Sequence, residues 1–187
     1  MNYKILQLIS SQETRIKDYE KKLHHLLGES IVEVNYYELK YDEPLWDEGV
    51  YHCLDFGLEF TTENREQYYF IWGKEFTQFD VKFERGSIVK EFLSIEVFCK
   101  YNVTNTFYWR SLAGIAIENI RVNWSYWSFV GKEGRCAYPQ DVIITFERNS
   151  EVIISAMEIV DEKAVEMKDH ITIFFDKSLF QKMKIKS

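Results

Sequence analysis

Twice along its 187 residues the chain writes a similar line. "LLGESIVEVNYY" runs from Leu26 to Tyr37, and "LAGIAIENIRVNW" from Leu112 to Trp124. A displacement of 86 positions carries Leu26 onto Leu112, Gly28 onto Gly114, Ile31 onto Ile117 and Val34 onto Ile120. The same displacement carries Asp55 onto Asp141, Leu58 onto Ile144 and Phe60 onto Phe146. One of 83 then carries Phe70 onto Ile153 and Glu75 onto Glu158. Alternation alone aligns apolar residues of any two strands, but it does not demand paired glycines or paired aspartates. The chain therefore reads as a single domain, 1–187, in which one β-unit is built twice, over about 11–86 and 105–176. Gly28 and Gly114 are expected to end the preceding helix or turn with positive φ. Such units must pack together or share a sheet to bury their faces, and a pocket belongs where they meet.

Ser10 and Glu13 have capping-box spacing, and Ile16, Tyr19, Leu23, Leu26 and Leu27 follow on one helical face. Ile5, Leu8 and Ile9 extend that stripe backwards, leaving the helix start open. After Gly28 the pattern turns to strands: 31–41, "VYHCLDFGLEFTT", "QYYFIWG", "FTQFDVKFERG", 115–127, "DVIITFE", "EVIISAMEI" and "DHITIFFD". "SIVKEFLSIEVFCKY" reads as a helix followed by a strand, "TNTFYWRSLAG" as a loop with a short helix, and "VGKEGRCAYP" as a glycine-punctuated loop. The tail "KSLFQKMKIKS" reads as a short helix or a frayed end. Short turns between neighbouring strands favour antiparallel pairing. The expected class is α+β: an N-terminal helix with a predominantly antiparallel sheet from two pseudo-repeated units.

Cys53, Cys99 and Cys136 are an odd number at wide spacing, with no metal or redox pair among them, and point to a reducing compartment. With no apolar window long enough for a membrane span and no cleavable leader pattern, the expected location is the cytoplasm. Net charge is −7. Between Tyr41 and Glu66 stand Asp42, Glu43, Asp47, Glu48, Asp55, Glu59, Glu63 and Glu66 against Arg65 alone, so this segment carries the whole excess. That sign is the reverse of a nucleic-acid footprint.

Candidate chemistry is sparse. His24 and His25 are adjacent rather than spaced for metal ligation, and are read as surface residues. His52 and Cys53 are neighbours on a strand, so they face opposite ways and do not form a dyad. His170, beside Asp169 at a strand entrance, is read as a turn or cap residue. No catalytic residue, metal or cofactor is expected. The loop "DEPLWDEG" sets Asp42, Glu43, Asp47 and Glu48 around Trp46. An aromatic residue rimmed by charge suits a partner-binding surface, although a merely solvated loop carries the same pattern. "VNWSYWSF" places Trp124 and Tyr126 on one face of a strand and Trp127 on the other, either as core filling or as a second aromatic surface.

The segments "YWRSLAGIAIENIRVNW", "YPQDVIITFERNSEVIISAMEI" and "DHITIFFD", with "LDFGLEF" and "YYFIWGKEF" in the first half, resemble a group of uncharacterised bacterial proteins. Members of such groups are often encoded beside secreted polymorphic toxins as immunity proteins. The resemblance implies a common fold over most of the chain and brings no catalytic residue with it. With the acidic loop, it leads to the expectation of a protein-binding inhibitor that covers the basic active site of a toxin domain. A small-ligand-binding β protein with a pocket between the repeats is the alternative, and a structural domain a further one.

Overall fold

The computed structural model describes residues 3–40, 46, 49–92, 98–128 and 135–185. The first helix, α1, is Tyr3–Leu23, so the helix begins ahead of Ile5. A 3-10 turn over His24–Leu26 carries it to Gly28. Then come β1 (Ile31–Leu39), β2 (Tyr51–Leu54), β3 (Gly57–Thr62), β4 (Gln67–Gly73), β5 (Asp80–Arg85) and the single-turn α2 (Ile88–Glu91). They are followed by β6 (Phe98–Asn102), α3 (Phe107–Leu112), β7 (Ile117–Ser128), β8 (Arg135–Phe146), β9 (Ser150–Val160), β10 (Lys163–Phe174) and α4 (Lys177–Ile185). The stretch Cys136–Pro139, expected in a loop, belongs to β8, paired with the far end of β7.

The strands form two sheets, in the orders β5-β4-β3-β1-β6 and β2-β10-β9-β8-β7, and all pairings are antiparallel. One core lies between them. Val34, Tyr36, Phe60, Phe70 and Phe83 come from the first sheet, and Ile144, Val152, Ile154, Ile171 and Ile173 from the second. Each such side chain adds about 1.5–3 kcal/mol on burial. The outer faces are covered too, which is why Tyr36 and Tyr37, or Phe70 and Ile71, are buried in succession. Behind the first sheet, Tyr37, Phe56, Tyr69 and Ile71 pack with Ile88 and Phe92 at α2. Behind the second, Ile143, Ile153, Met157 and Phe174 pack under Phe180 and Met183 of α4.

The two units share one plan. Gly28 and Gly114 have φ of 78° and 76°. The Gly28 N–H donates to the Ile117 carbonyl (2.9 Å) and the Gly114 N–H to the Ile31 carbonyl (2.8 Å), while Ser30 and Ala116 form an antiparallel bridge. Counterpart residues therefore bond each other across a local two-fold axis. Both first strands bulge one step later, at Val32 and at Glu118. Beyond the first strand the displacement changes from 86 to 84. Val34 pairs with Phe60 where Ile120 pairs with Ile144, and Thr61 pairs with Gln67 where Thr145 pairs with Glu151. The counterpart of Asp141 is thus Gly57, not Asp55. The aspartate match in the sequence is a coincidence of register, and the return strand keeps 84 rather than 83, so the counterpart of Phe70 is Ile154 and not Ile153.

The plan is broken in two places. Strand β2 lies between β1 and β3 in the chain but joins the second sheet, beside β10. Strand β6 covers the outer edge of β1, and nothing covers the same edge of β7 as a strand among the described residues. Helix α1 spans the side where β5 and β7 end their sheets. The Tyr19 hydroxyl donates to the Val81 carbonyl (2.7 Å) and Lys22 pairs with Glu84 (2.8 Å). Across the gap the Trp124 indole N–H donates to Glu20 (3.0 Å).

Candidate functional site

The acidic loop joins β1 to β2, and its foot stands beside a groove of about 660 Å³. Val50, Tyr108, Ser111, Glu151, Phe175 and Lys177 are among the residues that line it. The groove exists because β2 runs along β10 and α3 packs where β10 ends. Tyr108 and Phe175 stack with centroids 4.4 Å apart and planes 5° apart, forming an aromatic wall. Val50, in the lining, is 47% exposed, and Phe107, whose ring lies 5.1 Å from that of Tyr108, is 67% exposed. Phe107, Tyr108 and Trp109 are consecutive on a six-residue helix, so they cannot all face inward. Trp109 takes the core position, Tyr108 the wall, and Phe107 is left in solvent.

Behind the wall His52 is fully buried. Its ring lies among Tyr36 (5.5 Å), Trp46 (6.2 Å), Tyr108 (6.2 Å) and Phe175 (5.0 Å). The Trp109 indole N–H donates to the Tyr36 hydroxyl at 2.5 Å. That hydroxyl is also hydrogen-bonded to His52 Nδ1, 2.6 Å away. Burial pushes the Tyr36 phenol well above its ordinary pKa, keeping it neutral. This chain ties β1, β2 and α3 together and gives the groove a fixed back.

Trp46, read from the sequence as a surface hot spot, is half-buried and packs against the core. It makes edge contacts with Tyr36 (5.5 Å) and Tyr101 (5.7 Å). Charged neighbours in sequence concealed a side chain that has an aromatic hollow to fill, and the residue is an anchor for its loop. Asp42, Glu43, Asp47 and Glu48 lie outside the described residues. Of the other acids in the segment, Glu59 is buried and accepts the Ile88 N–H at 2.8 Å, holding α2. Asp55 lies 3.2 Å from His170, and Glu66 pairs with Arg85 (2.7 Å). Two of the eight acids in the segment, Asp55 and Glu59, are buried in the structure.

Trp124 is also mainly a packing residue, in edge contact with Tyr19 (5.7 Å) and Phe76 (5.4 Å). Tyr126 and Trp127 are exposed, at 65% and 41%. His52 and Cys53 do face opposite ways. Cys53 Sγ accepts from Thr172 (3.4 Å), and burial pushes its thiol up to about 11, so it is no nucleophile at neutral pH. His170 is within β10 rather than at a cap. It sits between Asp55 and Asp169 (3.5 Å), both of its ring nitrogens close to carboxylates.

Elsewhere, a buried carboxylate locks the tail. Asp141, fully buried, accepts from Ser155 (2.6 Å) and Asn123 (3.1 Å) and pairs with Lys184 of α4 (2.8 Å), which also reaches Glu166 (2.9 Å). Burial alone lowers a lysine, but these carboxylates override it and leave Lys184 above the ordinary value. A second groove, of about 390 Å³, lies where the units meet, between α1 and β7. No helix among the described residues is long and apolar enough to cross a membrane. No protein-family model, curated protein or solved structure matches the chain.

Proposed function

We propose that the chain is a protein-binding inhibitor of the immunity type, and that its contact face is the mouth of the groove between α3 and the end of β10. The observation that carries this reading is the pair Phe107 and Val50. They are large apolar side chains left in solvent, Val50 in the groove's lining and Phe107 against Tyr108 of its wall, and the back of the groove is hydrogen-bonded. An apolar centre on a stiff base, bordered by polar groups, is the anatomy of a binding hot spot. Val50 follows the loop of Asp42, Glu43, Asp47 and Glu48 in the chain, so four acids adjoin it in sequence. Acids so close in sequence favour a basic partner and speed its approach. The anchored Trp46 holds the foot of that loop.

The test uses a toxin encoded beside this protein, as the resemblance implies. Growth rescue on co-expression and complex formation by calorimetry are measured for the wild type and for Phe107→Ser with Val50→Ser. The double variant is expected to fold normally and to bind about 30-fold more weakly, roughly 2 kcal/mol for lost hot-spot residues. Full affinity in the double variant refutes this face, and failure of the wild type to bind refutes the inhibitor reading.

A further inference from the structure

Among the described residues, only one of the two sheets is completed at its first strand. In the first unit Asn35–Leu39 of β1 pair with Phe98–Asn102 of β6. The same edge in the second unit belongs to β7, twelve residues long, which ends its sheet. With the displacement of 86, the counterpart of the covered stretch is Arg121–Ser125. The direction of the backbone groups also carries over. Val34 donates its N–H to Thr104 Oγ1 and accepts from the Val103 N–H, both at 2.9 Å and both on the β6 side. Backbone groups alternate sides along a strand, so Val34, Tyr36 and Glu38 face β6. Their counterparts Ile120, Val122 and Trp124 then point away from β8. The bulges at Val32 and Glu118 keep the two strands in phase. Pro139, which has no N–H, stands opposite Trp124 on β8, as this direction allows.

The uncovered edge opens on the groove against α1, lined by Leu23, Ile120 and Val122 with Glu20 and His24 at its side. We propose that this edge and groove form a docking site for an extended segment of a partner protein, added antiparallel to β7 as β6 is added to β1. The register sets an apolar or aromatic partner residue opposite Val122, as Tyr101 stands opposite Tyr36 and packs on the core. This surface is separate from the α3 groove.

A second copy of the chain fits less well. Two β7 edges would share a strip about 40 Å long and about 10 Å wide, roughly half of the ~800 Å² per partner of a stable interface. In the pairing centred on Asn123, the residue opposite Val122 would be the other copy's Trp124. That side chain is already held by Glu20, Tyr19 and Phe76 in its own protomer.

The probe is a peptide of residues 96–104, EVFCKYNVT, with Cys99→Ser, titrated into the ¹⁵N-labelled full chain. At millimolar peptide, the amides of Ile120, Val122 and Trp124 are expected to exchange at least tenfold more slowly, with β1 unaffected. Tyr101 and the residue at 99 turn their N–H toward the edge, so N-methylation at both is expected to abolish the effect. N-methylation at Lys100 is expected to preserve it. No slowing, equal behaviour of the two methylated peptides, perturbation confined to β1, or a dimer whose β7 amides are already protected would each overturn the proposal.

Discussion

Three glycines separate two kinds of backbone demand. Gly28 and Gly114 have positive φ, and a Cβ built at either meets nothing within 4 Å. Gly57 has no unusual φ, but its Cβ would overlap the Phe70 carbonyl oxygen and lie 2.7 Å from Ile71 Cγ2. Alanine at 28 or 114 therefore suffers only the left-handed conformation, roughly 1–2 kcal/mol. Against that stands no steric term, and the bonds to Ile117 and Ile31 are retained. Each single variant should lose about 1 kcal/mol, the pair about twice that, and asparagine should cost less than alanine. D-alanine, whose preferred φ is positive, should stabilise by about 0.4–1 kcal/mol through the unfolded chain. Gly57→Ala forces strands β3 and β4 apart and should cost more than about 3 kcal/mol, in the range of severe core disruption. Urea unfolding followed by tryptophan fluorescence, at constant m, reads all of these. If Gly28→Ala or Gly114→Ala costs as much as Gly57→Ala, the open space around the junction is wrong. If they cost nothing, the shared positive φ is wrong.

Trp46→Ala should destabilise by about 2 kcal/mol, less than the 3–5 kcal/mol of a fully enclosed tryptophan, as measured by urea midpoint. Tyr36→Phe strips the acceptor from Trp109 and the hydrogen-bond partner from His52 Nδ1 and should cost about 1–3 kcal/mol, with a changed Trp109 indole proton shift in the NMR spectrum. Asp80 is buried and accepts the Phe76 and Thr77 amides, and burial raises its pKa. A raised folded pKa contributes stability that is fully present below the unfolded value and is lost as pH rises through the folded value. Wild type should therefore gain on Asp80→Asn as the pH is lowered through the raised folded pKa towards the ordinary aspartate value. A difference that is flat with pH, or that moves the other way, counts against the buried carboxylate.

The glycine pair and the run of strands were legible because each follows from local chemistry: positive φ selects glycine, and alternation selects strand. The change of displacement from 86 to 84 was not. A slip of two residues keeps every side chain on its own face, so the apolar pattern is blind to it, and Asp55 and Asp141 supplied a false tie-breaker. The partner of β2 was equally hidden, since four residues of strand pattern do not name their neighbour. At the site, the acids around Trp46 argued for solvent and masked its packing. Phe107 went unremarked in a stretch read as loop and helix. The available signal was three aromatics in succession on one short helix, of which one must be left outside.

The placement of β2 has a consequence for the growing chain. Cys53 and its neighbour Thr172 are separated by 119 positions. At about 5–20 residues per second, roughly 6–24 s pass between the synthesis of β2 and that of the strand it pairs with. The meander from β3 to β5 can close within that time, because its hairpins are local. His52 and Leu54, buried in the finished molecule, meanwhile have no second sheet to enter. The first half therefore emerges holding one edge of the second, and the core can close only when β10 has left the ribosome. Release of β10 is the committing event, and a ribosome stalled before residue 163 would present a half-built protein with an unsatisfied strand.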